Sequence, residues 1–443
     1  MNLRAFPPRP HGVWADRDFR LLWFSLVITQ SGGLITELAL PFAAVVALHA
    51  TPGQMGLLFA LESLPRIGLV LAGGVWADRV RRKPLLVWGD VAAGLVIGSI
   101  PVAAAVGGLT LGQFYAVALL SGLLSAFLAP AWSSFYPVAI RRERLADANQ
   151  VFHATGGVLT AAVPPLAGAL VQVLTAPFVM ALDAISSVAS AVLVRRLLTV
   201  ERPGDRATAR RFRTELSSGI RFLWGNAILR AITITSGVWG FAGYGIVTAL
   251  SILYLRRTLG LSAAFIGLLT AFGGLSLIAA TYLAPRLRAG IGVGKTILLA
   301  IVLLSASPAL LAMARRGSAG EWPLLLGFAL CMWGGFFLAN VHFLTIRQLL
   351  TPERTLGRVS AISQLTMAVS TAAGALAGGA LGEGVGVRSA LWVAAAILPI
   401  SVVVVAASPL RRLRELPVAS PSDPVSVPFS DGPAPRAKGG KPV

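Results

Sequence analysis

Charge and cysteine are both scarce in this chain. Of its 443 residues only 13% are Asp, Glu, Lys or Arg, while 56% are hydrophobic and the mean hydropathy is +0.76. A soluble domain carries about 25% charged residues, so the composition excludes a water-soluble globular protein. A single cysteine, Cys331, lies in an apolar run. It excludes an internal disulfide or a cysteine cluster and reads as a small buried hydrophobe. No HExxH, Cys cluster or GxSxG pattern occurs, so neither an enzyme nor a metal or other cofactor finds support. No short apolar segment with an Ala-x-Ala cleavage site opens the chain, and the first span is expected to stay in place.

What is present is a dozen apolar stretches, each long enough to cross the ~30 Å hydrocarbon core as a helix. They run at roughly 19–47, 54–76, 84–106, 111–135, 148–172, 177–196, 230–254, 262–284, 295–314, 322–348, 358–381 and 387–408. Basic residues crowd every second gap, and the loops after spans 1, 3 and 5 hold none. By the positive-inside rule the basic gaps face the cytoplasm, with both termini on that side. This pattern also accounts for the net charge of +20 without nucleic acid; the partners expected are the lipid bilayer, a small molecule and protons, and the chain is expected to be a monomer.

The expected fold is an all-α membrane protein of twelve transmembrane helices in two six-helix halves. A cytoplasmic N-terminus (1–18) precedes the first half (19–196). A cytoplasmic central loop (197–229) carries an amphipathic helix with Leu216, Ile220, Leu223 and Ile228 on one face. The second half (230–408) is followed by a Pro-, Ser- and Gly-rich tail (409–443) that reads as disordered.

The halves repeat at an offset of 210 residues. Phe127-Leu128-Ala129 falls on Phe337-Leu338-Ala339, Glu143-Arg144 on Glu353-Arg354, Leu166-Ala167-Gly168 on Leu376-Ala377-Gly378, and Arg20 on Arg230. Parallel repeats of this kind suit alternating access about a site near the bilayer midplane.

Ionisable groups at membrane depth point to function, and few exist here. Glu37 lies just beyond the middle of span 1; Glu62 and Arg66 lie near the middle of span 2, four apart on one helical face. Spans 1 and 2 run in opposite directions, which sets the two glutamates at similar depth. The three are expected to line a central cavity. There, burial favours the neutral carboxyl and the guanidinium favours the charged one, the balance a proton-exchanging group needs. Asp183 in span 6 is a second candidate, and Gln30 and Asn340 are expected cavity polars. Pro164 and Pro165 remove two backbone donors from span 5 and, with Gly168 beside them, kink it.

After span 2 the chain reads Gly74-Val-Trp-Ala-Asp78-Arg79-Val-Arg81-Arg82-Lys83. This resembles the loop 2–3 signature of the major facilitator superfamily, with Arg81 where its second glycine is usual. Asp18-Phe19-Arg20-Leu21-Leu22-Trp23, Gln30-Ser31-Gly32 and Arg142-Glu143-Arg144-Leu145-Ala146-Asp147 sharpen the likeness toward bacterial exporters of the enterobactin-exporter and macrolide-efflux type. The resemblance implies a secondary transporter of the bacterial inner membrane that expels a small apolar or amphipathic compound, a drug-like natural product or siderophore, in exchange for protons. An importer or uniporter of the same fold, and a transport-inactive sensor or scaffold, are the alternatives. The resemblance also implies an inner gate from Gly74, Asp78, Arg79, Arg82 and Lys83, with Glu143, Arg144, Glu353 and Arg354 in the equivalent loops. In it Asp78 faces the start of span 11, where Thr351 is expected as cap and Pro352 in the first turn. Gly290-Ile-Gly-Val-Gly294-Lys295-Thr296 imitates a phosphate loop but is one residue short and follows no strand.

Overall fold

The computed structural model describes residues 13–72, 81–198 and 212–416; Gly74, Asp78 and Arg79 lie outside them. Fifteen α-helices follow one another: α1 Arg17–Val46, α2 Pro52–Ala72, α3 Arg82–Ala105, α4 Leu111–Ala139, α5 Leu145–Leu174, α6 Ala176–Arg195, α7 Phe212–Gly225, α8 Ala227–Val238, α9 Thr248–Leu253, α10 Ala263–Ile291, α11 Val293–Met313, α12 Glu321–Leu350, α13 Glu353–Gly384, α14 Val387–Ile397 and α15 Pro399–Ala407. Eleven stretches are long and apolar enough to cross a membrane. One of them, Ala227–Thr258, joins α8 and α9 through π-helical turns at Trp239–Val247 and Tyr254–Thr258, and another, Val387–Ala407, joins α14 and α15. With the 21-residue α2, which at ~1.5 Å per residue also matches the hydrocarbon core, the bundle has its twelve spans.

Side-chain caps mark where the spans begin. Asp16, Thr110, Asn226 and Ser262 each accept from a backbone N–H of the following turn, and Thr51 and Gln54 form a reciprocal capping box at 2.8 and 3.3 Å ahead of α2. The 210-residue repeat is visible in these boundaries: moved by 210, α4 covers 321–349 against the observed Glu321–Leu350, and α5 covers 355–384 against Glu353–Gly384.

Three expectations are corrected. The amphipathic helix ends at Gly225, because Asn226 stops it and caps the next helix through its side chain. Leu223 and Ile228 are therefore buried in two different helices, and Ile220 is exposed. Pro352, not Thr351, is the N-cap of α13; Thr351 sits one residue out of register, and its buried hydroxyl has no partner among the described residues. Finally, the stretch 409–416, expected to be disordered, forms a 3-10 turn at Pro409–Arg412 and packs on the start of α11. Gly294 and Val293 donate to the carbonyls of Leu413 (2.7 Å) and Arg414 (3.2 Å), which satisfies the orphan N–H groups at the start of α11. A Cβ at Gly294 would overlie the Leu410 carbonyl oxygen, so the glycines that imitate a phosphate loop make room for the chain's own backbone.

Two faces of the bundle differ in charge. One gathers the starts of α1, α3, α5, α7, α11 and α13 and is rich in arginine; the other holds the α1–α2, α3–α4 and α5–α6 turns, which contain no Lys or Arg.

Candidate functional site

The first half is locked internally by buried polar chains. Ser25 Oγ and Ser190 Oγ lie 2.7 Å apart, and Ser190 donates to Asp90 Oδ2 at 2.7 Å, tying α1 and α3 to α6. Asp90 thus accepts from a serine of α6. Thr36 donates to Asp183 Oδ2, and Gly32 allows the approach, since a Cβ there would overlie Asp183 and Ser186. Asp183, expected in the cavity, is buried at the α1–α6 contact. Arg82 donates to the Ser134 carbonyl at 3.2 Å and Lys83 to that of Leu197 at 2.6 Å. Both thereby hold the arginine-rich end of this half together, and Lys83 sits at the C-terminus of α6, where a cation is favoured.

This scaffold fixes the rotation of α1 and leaves Glu37 accessible on its other side, with Arg66 accessible and Glu62 half-buried on α2. Glu37 and Glu62 lie nine and ten residues from the arginine-poor ends of their helices, so both sit about 14 Å deep at ~1.5 Å per residue. Glu37 interacts electrostatically with Glu62 and Arg66, and Tyr244 with all three. Tyr244 belongs to the π-helical stretch of the second half. The cluster therefore crosses from one half to the other. No direct ion pair within 4 Å joins Glu62 to Arg66 among the described residues, which leaves both with capacity for another partner. Gly122 of α4 sets the position of Glu62, because a Cβ there would overlie the Glu62 carbonyl.

The remaining expected residues fall elsewhere. Gln30 packs on α5, its side chain 3.4 Å from where a Cβ of Gly156 would be. Asn340 is exposed on α12 with no described contact to the cluster. Glu143 is exposed and Arg144 half-buried at the start of α5, while Glu353 and Arg354 open α13. The second half instead contributes aromatic rings around the middle of α12: Trp239 and Phe336 lie 5.7 Å apart, and Trp333 stacks on Phe337 at 6.1 Å. Tyr244 and Gly122 were not singled out from the sequence. Tyr244 is the repeat partner of Leu34, one turn from Glu37, and the repeat could have found it; nothing in the sequence marks Gly122 among 47 glycines.

Two seams of small residues join the halves toward the arginine-poor face. In one, α5 meets α10: a Cβ at Gly168 would overlie the Ala263 carbonyl, one at Gly267 the Pro164 carbonyl, and one at Gly274 the Ala161 amide. Pro164 and Pro165 thus serve a contact surface, and α5 runs unbroken through them. In the other, α2 meets α13 through Gly56 and Gly379, whose added Cβ atoms would lie 2.9–3.1 Å from the facing Cα. Arg257 adds a bond between halves, donating to the Val45 carbonyl at 3.2 Å. This arrangement can separate two rigid bodies at one face while sealing them at the other. Among the described residues no group of three His, Cys, Asp or Glu is placed to hold a metal ion.

Comparison with known proteins agrees with this architecture. Residues 10–431 match the family described as transmembrane secretion effector. An uncharacterized MFS-type transporter of Bacillus subtilis, YfiS, is 24% identical over 400 residues, 86% of this chain and 91% of that protein. Among solved structures, a bacterial homologue of the iron transporter ferroportin in its inward-facing state superposes with a TM-score of 0.71 at 19% identity, covering 90% of this chain and 99% of that one. The nucleoside transporter NupG gives 0.68 at 13% identity, covering 88% and 98%. With a family match that takes in every span, the chain belongs to the transmembrane secretion effector family of major facilitator transporters.

Proposed function

We propose that the protein exports a small apolar or amphipathic compound, a drug-like natural product or siderophore, across the bacterial inner membrane in exchange for protons, with its arginine-rich face in the cytoplasm. The observation that carries this reading is the cluster of Glu37, Glu62 and Arg66 facing Tyr244 across the gap between halves. Its two carboxyl groups and one guanidinium sit at the depth where an alternating-access transporter binds its load. A carboxylate there costs several kcal/mol unless it is paired, protonated or liganded, so its proton occupancy is coupled to what else occupies the gap. The aromatic cluster Trp239, Trp333, Phe336 and Phe337 supplies stacking surface for an apolar cargo. The gate assigned to Asp78 and Arg79 belongs to the same reading.

The test is transport in everted vesicles from cells overproducing the protein, with cargo first found by comparing susceptibility of overproducing and deleted strains. Accumulation that follows an imposed proton gradient, and that is lost in Glu37→Gln, supports the proposal. Accumulation that is indifferent to the gradient in the unaltered protein overturns proton exchange, and uptake by whole cells overturns export.

A further inference from the structure

A cavity separate from the charged cluster opens at the arginine-poor end. It has a volume of about 530 Å³ and is walled by Phe42 and Val46 of α1, Val171 and Gln172 of α5, Phe178 of α6, and, from the second half, Arg256. That volume falls within the ~300–1,000 Å³ of small-molecule sites. Its lining is mostly apolar, and Arg256 is its one charge.

Arg256 is half-buried in the π-helical turn Tyr254–Thr258. Its Nη1 donates to the Leu261 carbonyl at 3.2 Å, and its guanidinium carbon lies 5.9 Å from the centroid of the Phe42 ring. Among the described residues no carboxylate pairs with it. A guanidinium has five N–H donors, and among the described residues this one's only acceptor is the Leu261 carbonyl, so donors remain for a ligand in the cavity that Arg256 lines. Carboxylate or phosphate oxygens accept from a guanidinium in short, charge-assisted bonds, which apolar walls strengthen by lowering the local dielectric. The walls come from the last turns of α1 and α5 and the first turn of α6. That is the depth at which an amphiphile has its polar end in the interface and its apolar body below.

From this we infer that the cavity binds an amphiphile with one anionic head and an apolar body, such as a fatty acid or an anionic phospholipid, its head on Arg256 and its body against Phe42, Val46, Val171 and Phe178. Both halves contribute walls, so the ligand bridges them. It binds best when they are packed together at this face, and it therefore favours that packed arrangement. The site stands apart from Glu37 and does not depend on which cargo crosses the midplane.

The test uses the purified full-length protein in neutral detergent, with oleate and its uncharged methyl ester as probes. The unaltered protein is expected to bind oleate at least tenfold more tightly than methyl oleate, the scale of one charge-assisted hydrogen-bonded pair. Arg256→Gln is expected to bring oleate down to the methyl oleate level. Arg256→Lys is expected to keep much of the preference, and Lys295→Gln, at the opposite face, all of it. Equal binding of the two probes by the unaltered protein overturns the inference, and this comparison decides even where Arg256→Gln fails to fold. A full oleate preference in folded Arg256→Gln overturns it equally. Nanodiscs of phosphatidylcholine with and without phosphatidylglycerol then identify the source. Loss of oleate binding when phosphatidylglycerol is present makes the occupant a membrane lipid; unchanged binding makes it a free amphiphile, and both results uphold the ligand class.

Discussion

Arg20 and Arg230 stand 210 residues apart and make the same bond. Each Nη1 donates to the carbonyl of the tryptophan six residues before it, Trp14 at 2.7 Å and Trp224 at 3.2 Å. The two tryptophans are themselves 210 residues apart. One local device, a cation turned back onto the chain entering a span, thus opens both halves.

Each half begins with its own anchor, and the first is tied together by its own buried polar bonds, so continuity of the chain between the halves is expected to be dispensable for assembly. Residues 1–204 and 205–443, coexpressed as separate polypeptides, are expected to assemble in the membrane and to recover a large part of the transport of the intact protein. Copurification through a tag on one piece, followed by transport, measures this. A second piece that appears only as aggregate would show that the halves fold as one unit.

The α5–α10 seam has no room for a side chain at Gly168 or Gly267. Overpacking costs about 1–3 kcal/mol, enough to shift a two-state balance roughly 10- to 100-fold at 1.4 kcal/mol per decade. Gly168→Val is expected to reach the membrane in normal amount, to lose most transport, and to expose a cysteine placed at Ala264 to impermeant thiol reagents. Normal transport by this variant would show that the seam does not close during the cycle.

Ser190 holds two side-chain partners, Ser25 and Asp90, and Ser25 holds one, Ser190. Ser190→Ala leaves Asp90 and Ser25 both without a side-chain partner, at a cost of about 1–3 kcal/mol for each buried group left unsatisfied. Ser25→Ala keeps the Ser190–Asp90 bond and is expected to cost about 1 kcal/mol or less. Thermal unfolding in detergent should rank Ser190→Ala clearly below Ser25→Ala; the reverse order would mean that Ser25 carries the network.

Tyr244 faces Glu37 from the opposite half. Tyr244→Phe removes one hydroxyl and keeps the ring, so it is expected to lower transport several-fold while keeping its dependence on the proton gradient. Glu37→Gln is expected to abolish that dependence. Should the two variants share one pH profile, the two residues do not divide the work in this way.

The twelve spans and the 210-residue repeat were legible because membrane helices must satisfy their own backbone and hide it in apolar side chains, which leaves long, countable runs. Glu37, Glu62 and Arg66 stand out in the sequence for the complementary reason, since charge is rare at that depth, and their role belongs to the proposed function. What escaped was what backbone contact decides. Gly122, Gly168 and Gly294 look like any other glycine until a neighbouring carbonyl is found against them. Asp183 reads like a cavity carboxylate until Thr36 is seen across from it, because the side of a helix that a residue faces depends on partners far away in the chain. Pro164 and Pro165 read as a kink in the sequence; that Gly267 of α10 packs on the Pro164 carbonyl could be seen only in the structure.

The carboxylates within the membrane, Glu37, Glu62, Asp90 and Asp183, all belong to the first half, and their counterparts 210 residues later are Val247, Phe272, Ala300 and Val393. Gene doubling produced two matching bodies, and every acidic group at depth now travels with only one of them. In the proposed transport cycle the electrostatic work at the bilayer's centre therefore falls on a single lobe, opposite a twin that presents rings and no carboxylate at that depth.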